Sequence, residues 1–192
     1  MLNIGVLISG GGTNLQSLID NIENGYIKGE IKIVISNRKD AYGLIRAEKA
    51  GIEALYIDPS GLSDKNYNKK IIEELEKRNI ELVVLAGYLK ILSKEFIQKY
   101  NKRIINIHPS LLPDFGGKGY YGDRVHKAVL ESGKKVTGAT VHFVDEGTDT
   151  GKIILQEKVE IKADDTVESL KARVLEVEHR LLVEAIRMLT QI

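Results

Sequence analysis

Short β-branched runs alternating with helical patterns constrain this chain most. Strands are predicted near residues 2–8, 31–36, 53–57, 81–86 and 103–108, with helices between them near 13–24, 41–50, 63–79 and 93–100. Such βαβ units build a parallel sheet covered by helices on both faces. From about residue 136 the rhythm changes. KVTGATVHFVD and KIILQEKVEI read as two longer strands joined by EGTDTG, and one long helix runs from about 166 onward. The expected fold class is therefore α/β, a Rossmann-like doubly wound, mostly parallel sheet with an antiparallel C-terminal strand pair and a long C-terminal helix. With no internal repeat and no long linker, residues 1–192 are expected to form a single domain.

Composition narrows the partners. The chain is 43% hydrophobic and 29% charged, as in an ordinary globular protein. Cysteine is absent, so neither a disulfide nor a thiol nucleophile is available. Apolar runs such as LVVLAGYL fall far short of the ~20 residues a membrane span needs, and the N-terminus lacks a signal-peptide pattern. A cytoplasmic location without membrane contact is expected. Net charge is +1, from 28 basic and 27 acidic residues, with no basic run to match a nucleic acid. The segment DKNYNKKIIEELEKRN alternates sign and reads as a solvated helix face. Small molecules are the expected partners.

The first strand runs into ISGGGTNLQ, residues 8–16. Glycines let backbone N–H groups approach a ligand, and a helix N-terminus favours anions. The dinucleotide fingerprint fits badly, because Leu15 stands where its third glycine belongs and Ser36-Asn37-Arg38 supplies no acid for a ribose diol. The Walker pattern fails for want of Gly-Lys-Ser/Thr. What remains is either a cradle for a single phosphate, with Thr13 and Asn14 adding donors to Gly12, or an ordinary strand-to-helix turn.

The fifth strand ends in NIHPSLLP. Asn106 and His108 lie two apart and so share one face of the strand. In a doubly wound sheet, ligands bind outside the carboxyl ends of the strands, so this pair and the glycine loop are expected on the same edge. Of the other histidines, His126 falls in a polar helical stretch and is expected to be solvated. His142, mid-strand in TVHFV, reads as a core residue or one that supports the site. No pair of histidines has a ligand spacing that suggests a metal. Asp149 lies in a Gly-Thr-Asp-Thr-Gly loop, where carboxylates are commonly solvated or cap a turn. Brought near His108, it would favour the imidazolium and raise its pKa. Asn106 and a charged His108 would then stabilise an oxyanion, and with no serine or cysteine in a nucleophile context, direct attack by a substrate amine fits best.

The last helix carries an apolar stripe through Val167, Leu170, Val174, Val177, Leu181, Ala185 and Met188. Glu178 falls within that arc. It must either meet a partner or ligand there or reach out to solvent at the edge.

Taken in order, ISGGGTNLQ, VVLAGYLKIL, NIHPSLLP and GATVHFVDEGTDTGKIILQ resemble the folate-dependent phosphoribosylglycinamide formyltransferases of purine biosynthesis, over essentially the whole chain. The resemblance implies transfer of a formyl group from 10-formyltetrahydrofolate, a co-substrate, to the amine of glycinamide ribonucleotide, without a metal, by a monomer or homodimer. It implies catalytic roles for Asn106, His108 and Asp149, with His108 as proton donor and Asp149 raising its pKa. It assigns the ribonucleotide to Gly12, Thr13 and Asn14 and to the run Leu175, Glu176, Val177 and Glu178, with Glu178 on the ribose. It assigns the folate to Leu89, Lys90, Ile91 and Leu92, to Asn106, and to Asp145, Glu146, Gly147, Thr148 and Asp149. His142 matches a histidine near the active site, and Leu112-Pro113 matches a cis peptide. Two departures stand out. Ser63-Asp64-Lys65 occupies the place of a substrate-reaching arginine, and the loop PDFGGKGYYG, with four glycines in ten residues, is longer than the common form.

Three other readings are weighed. A methionyl-tRNA formyltransferase domain is expected to continue into a basic tRNA-binding domain, and a formyltetrahydrofolate hydrolase to carry a regulatory domain before the glycine loop. A non-catalytic nucleotide-binding module would leave Asn106 and His108 merely satisfying buried backbone.

Overall fold

The computed structural model describes residues 1–191. Seven strands, β1 (Leu2–Ile8), β2 (Gly29–Ser36), β3 (Glu53–Tyr56), β4 (Leu82–Leu85), β5 (Ile104–His108), β6 (Val136–Phe143) and β7 (Ile153–Glu160), form one sheet in the order β3-β2-β1-β4-β5-β6-β7. The first five in that order pair in parallel, and β5–β6 and β6–β7 pair antiparallel, as the change of rhythm near residue 136 predicts. Six helices connect and flank them: α1 (Thr13–Glu23), α2 (Tyr42–Lys49), α3 (Asp64–Glu76), α4 (Lys94–Lys99), α5 (Asp123–Glu131) and α6 (Val167–Leu189).

Strand direction and order place the site. After β1 the chain winds outward through β2 and β3, then returns to lay β4 on the other side of β1. Connections leaving neighbouring strands toward opposite faces open a crevice at their carboxyl ends, here between β1 and β4.

Period-two alternation divides the core between the two faces. Ile4, Val6 and Ile8 of β1 pack with Leu15 and Leu18 of α1 and with Leu170, Val174 and Leu181 of α6. Leu7, Ile33, Ile35, Val83 and Leu85 face the other way, onto Ile71 and Leu75 of α3 and Phe96 of α4. Fully burying each such aliphatic side chain contributes roughly 1.5–3 kcal/mol. The α6 helix opens on a capping box in which Thr166 and Ser169 each bond the other's backbone. Its stripe is buried from Leu170 to Ala185, but Met188, placed on the stripe by periodicity, is substantially exposed near the helix end.

His126 departs from the sequence expectation of a solvated residue. It is only 2% exposed, because Val125 and Val129 turn that side of α5 into the core and carry His126 with them. Burial, helped by the charge of Lys171, pushes its pKa down to about 4.

Candidate functional site

A cleft of about 320 Å³ opens at the carboxyl ends of β4 and β5. Its walls are the segment after β4, the loop before α5 and the loop from Asp145 to Asp149, while Asn106, His108 and His142 also line it. The polar face predicted for the end of β5 is therefore turned into this cleft, one strand beyond the β1–β4 crevice, and the glycine loop after β1 lies at the same edge of the sheet.

Four side chains converge there. Asp149, held at a positive φ of 58°, directs Oδ2 to within 3.5 Å of His108 Nδ1 and Oδ1 to within 3.6 Å of His142 Nε2. The Oδ2 atom also accepts a 3.0 Å hydrogen bond from the Gly117 amide. Asn106 Nδ2 lies 3.1 Å from His142 Nε2 and 3.5 Å from Asp149 Oδ1. Strand pairing helps create this meeting, because Asn106 on β5 stands opposite His142 on β6 in register.

Acceptor chemistry fixes the tautomers. The Nδ1 atom of His142 donates to the Phe143 carbonyl at 2.8 Å, so neutral His142 presents a lone pair on Nε2 to the Asn106 amide. That orients Asn106 with its NH₂ group inward. The Nε2 atom of His108 donates to the Phe115 carbonyl at 2.8 Å, leaving Nδ1, beside Asp149, as the atom that gains or loses a proton. Phe115 sits at φ 52° in the glycine-rich loop, so the longer loop has a specific effect on the histidine.

The charges correct one expectation. Burial of His108 outweighs the upward pull of the Asp149 carboxylate and the Phe115 carbonyl, and its pKa lies below the ordinary histidine value. Asp149 acts in the expected direction but does not prevail, because an imidazolium almost wholly enclosed by protein loses more hydration than one carboxylate at 3.5 Å returns. For Asp149 the balance is reversed. Burial pushes its carboxyl upward, yet the neighbouring imidazole of His142, the charge of His108 and the Gly117 amide together bring it below the usual range.

A second polar network fixes the turn after β5. Thr140 Oγ1 donates to the Ser110 carbonyl at 2.7 Å and accepts from the Leu112 amide at 3.1 Å. Gln156 Nε2 bonds both Thr140 Oγ1 and the Leu112 carbonyl. The Leu112-Pro113 peptide is cis.

At the other end of the edge, Gly12 caps α1 at φ 73°, and a Cβ placed there would lie 2.6 Å from the Gly43 Cα. Both the left-handed backbone and the close approach of α2 require glycine. Thr13 and Asn14 begin the helix. Asn14 is 8% exposed and its Nδ2 donates to Glu178 Oε2 at 2.9 Å, joining α1 to α6. Glu178 is therefore buried and bonded, with no reach to solvent at the helix edge. Burial drives its carboxyl up to about 7, and the Asn14 amide and the charge of Lys171 only partly oppose this. In the same run Val177 is packed in the core, Leu175 is half-buried and Glu176 is exposed, all in mid-helix where backbone N–H groups are used in the helix itself. Glu178 is the member of that run joined to the glycine loop.

The predicted folate segments do meet at the cleft. Leu89 to Leu92 line one wall and Asp145 to Asp149 another. Leu89 and Ile91 are 53% and 68% exposed, unusual for aliphatic side chains, and give the mouth an apolar rim. Where the resemblance leads one to expect an arginine, Asp64 lies 3.5 Å from Lys90 Nζ and Lys65 lies 3.7 Å from Glu95, so this region is charge-paired. Sequence reasoning passed over two residues that hold the loops. Ser9 Oγ donates to Asn37 Oδ1 at 2.6 Å and accepts from the Leu89 amide at 2.9 Å, linking the ends of β1, β2 and β4. Arg46 of α2 bonds the Gly11 carbonyl. A serine directly before the glycine run was the available signal for the first, and nothing in the spacing marked the second.

Comparison with known proteins agrees with this fold. Residues 2–186 match the family described as formyl transferase. The chain is 44% identical over 189 residues to the chloroplastic phosphoribosylglycinamide formyltransferase of Arabidopsis thaliana, covering 95% of this chain and 63% of that protein. It is 42% identical over 192 residues to the phosphoribosylglycinamide formyltransferase of Haemophilus influenzae, covering 100% of this chain and 88% of that one. Among solved structures, glycinamide ribonucleotide transformylase 1 from Symbiobacterium toebii superposes with a TM-score of 0.95 at 46% identity, covering 100% of this chain and 88% of that one. The chain thus spans 63% and 61% of the length of the plant relatives from Arabidopsis thaliana and Vigna unguiculata.

Proposed function

The chain belongs to the formyl transferase family, and from that premise we propose that it transfers the formyl group of 10-formyltetrahydrofolate to the amine of glycinamide ribonucleotide. The observation that carries this reading is the convergence of Asn106, His108, His142 and Asp149 in the cleft. An amide donor and a titratable imidazole, both anchored from behind, suit a reaction in which charge develops on a carbonyl oxygen.

In the proposed reaction the substrate amine attacks the formyl carbon, forming a C–N bond and placing negative charge on the formyl oxygen. Asn106 donates an Nδ2 hydrogen to that oxygen, its amide held in orientation by neutral His142. His108, protonated on Nδ1 beside Asp149, stabilises the same charge and supplies a proton to the departing folate nitrogen. The bond from that nitrogen to the formyl carbon then breaks, and the proton lost by the attacking amine restores His108. Because burial keeps the pKa of His108 low in the free chain, the developing oxyanion favours the imidazolium when it is required.

The substrates divide along the edge. The apolar rim of Leu89 and Ile91 and the backbone of 89–92 and 145–149 suit the flat folate ring, as a mostly apolar cleft with few polar groups generally does. Gly12, Thr13 and Asn14 suit the phosphate, and Glu178 accepts from ribose hydroxyls. Both ligands are small molecules, with no role for nucleic acid or metal.

Purified protein should form formylated ribonucleotide and tetrahydrofolate only when both substrates are present, as followed by mass spectrometry. Hydrolysis of the folate without the amine, or transfer to methionyl-tRNA in its place, would overturn the assignment.

A further inference from the structure

The glycine loop does not stand alone at its end of the sheet edge. The side chain of Arg46 reaches across from α2 and donates from Nε to the Gly11 carbonyl at 2.7 Å. Its Nη1 donates to Gln16 Oε1 at 3.3 Å on the first turns of α1, and its guanidinium lies 5.0 Å above the Tyr42 ring. The stem passes close to Gly12, whose added Cβ would lie 3.4 Å from Arg46 Cδ. Arg46 is therefore built into the loop, held by two hydrogen bonds and an aromatic face.

Its charge has no local partner. Arg38, Arg78, Arg173, Arg180 and Arg187 all pair with carboxylates. Among the described residues Arg46 pairs with none, and both its hydrogen-bond partners are neutral. Arg103 and Arg124 are also without a carboxylate; Arg103 bonds the Lys99 carbonyl of its own segment and Arg124 stands over Tyr121, whereas Arg46 reaches from α2 to the glycine loop. A fixed, uncompensated cation beside a helix N-terminus is a strong arrangement for an anion. An independent feature of the same corner agrees: Asn14, more than nine-tenths buried, has an Oδ1 with no hydrogen-bond partner. The corner contains polar capacity that the free chain leaves unused.

We propose that Arg46 determines the selectivity of this enzyme for a phosphorylated amine. It draws the Gly11 carbonyl dipole toward itself and away from the incoming phosphate, and offers its uncommitted Nη2 edge and its charge to the phosphate oxygens. This rests on reading the glycine loop as the phosphate cradle of a ribonucleotide-using formyltransferase.

The test compares two acceptors, glycinamide ribonucleotide and the same riboside lacking its 5′-phosphate, in wild type, Arg46→Gln and Arg46→Lys. The readout is the ratio of kcat/KM for the two acceptors, with KM for the formyl donor measured in parallel. Losing a charge-assisted contact should lower the preference for the phosphorylated acceptor roughly 10–100-fold in Arg46→Gln. The loss should fall on the ribonucleotide KM, with donor KM and kcat within a few-fold of wild type. Arg46→Lys retains the charge without the planar fork and should keep part of the preference. If both acceptors suffer equally in Arg46→Gln, the residue only supports the fold of the loop and the proposal fails. If wild type shows no preference for the phosphorylated acceptor, the cradle reading fails first and takes Arg46 with it.

Discussion

Two carboxylates, Glu178 buried and Asp149 half-buried, stand at opposite ends of the same sheet edge, and their surroundings set them to opposite protonation behaviour. Asp149 sits among two imidazoles and a backbone amide and is held below the usual carboxylate range. Glu178 meets one neutral amide, with the nearest effective cation acting only through space, and is pushed up to about 7. Burial acts in the same direction on both, so the number and charge of the partners decides the outcome. The difference matches the proposed roles. Asp149 must remain a fixed counter-charge while a proton moves on His108 Nδ1. Glu178 can stay near half-protonation in the free chain and become fully charged when substrate hydroxyls arrive to bond it.

The strongest way to break this contrast is to neutralise the Asp149 end. Asn106→Ala and His108→Ala are each expected to lower kcat by about 10²–10³, the usual cost of losing an oxyanion donor, with the fold intact by circular dichroism. Asp149→Asn should be similarly damaging. It should also move the titration of His108, followed by NMR, to still lower pH, because the imidazolium loses the one carboxylate that favours it. An unmoved titration would remove Asp149 from its role, and a fully active His108→Ala would remove the mechanism.

The two regions also differ in how far they could be read from sequence. Period-two spacing was enough to put Asn106 and His108 on one face, and strand-helix alternation was enough to aim that face at the crevice. The helical arc was enough to mark Glu178 as anomalous. What could not be read were contacts between distant positions. The bond from Asn14 to Glu178 joins residues 164 apart, and no periodicity reports on such a meeting. Nor could spacing show that the Phe115 carbonyl captures Nε2 of His108 and so selects Nδ1 as the working atom, since that depends on the path of one irregular loop. His126 illustrates a third limit. The charged composition of α5 suggested a solvated helix, yet two valines four residues apart were enough to turn His126 inward.

At the Glu178 end a smaller effect is expected, confined to one substrate. Glu178→Ala should raise KM for the ribonucleotide by one to two orders of magnitude, roughly 1.5–3 kcal/mol for hydrogen bonds to a charged group, with donor KM unchanged. The acceptor's ribose hydroxyls provide the check. An acceptor lacking them should be indifferent to the mutation, and an equal loss with that acceptor would place the contact elsewhere. The glycine loop is a poorer target for this question. Gly12→Val should weaken the ribonucleotide, but its Cβ would also strike Gly43 and occupy a left-handed backbone, so binding loss there mixes with folding loss.

The smallest expected effect separates the two carboxylates without any substrate, through stability against pH. A carboxyl whose folded pKa is raised binds more protons folded than unfolded between the two values, so stability falls as pH rises through that window. For Glu178 the window runs from about 4.3 in the unfolded chain to about 7. Above it, wild type bears the cost of a buried charge that Glu178→Gln does not. The variant should therefore be the more stable protein at pH 8 and should lose this advantage near pH 4. Asp149 obeys the opposite sign. Its folded pKa is depressed, so its contribution is present above the unfolded value and is lost as pH falls through the folded one. Asp149→Asn should consequently be less stable than wild type at pH 8. His126 adds a background common to all three proteins, because its pKa of about 4 makes stability fall as pH drops below about 6.5. Differences between variants at one pH remove that background. Urea titrations at pH 8 should move the two variants to opposite sides of wild type, and movement to the same side would mean that burial alone, and not the partners, sets these carboxylates.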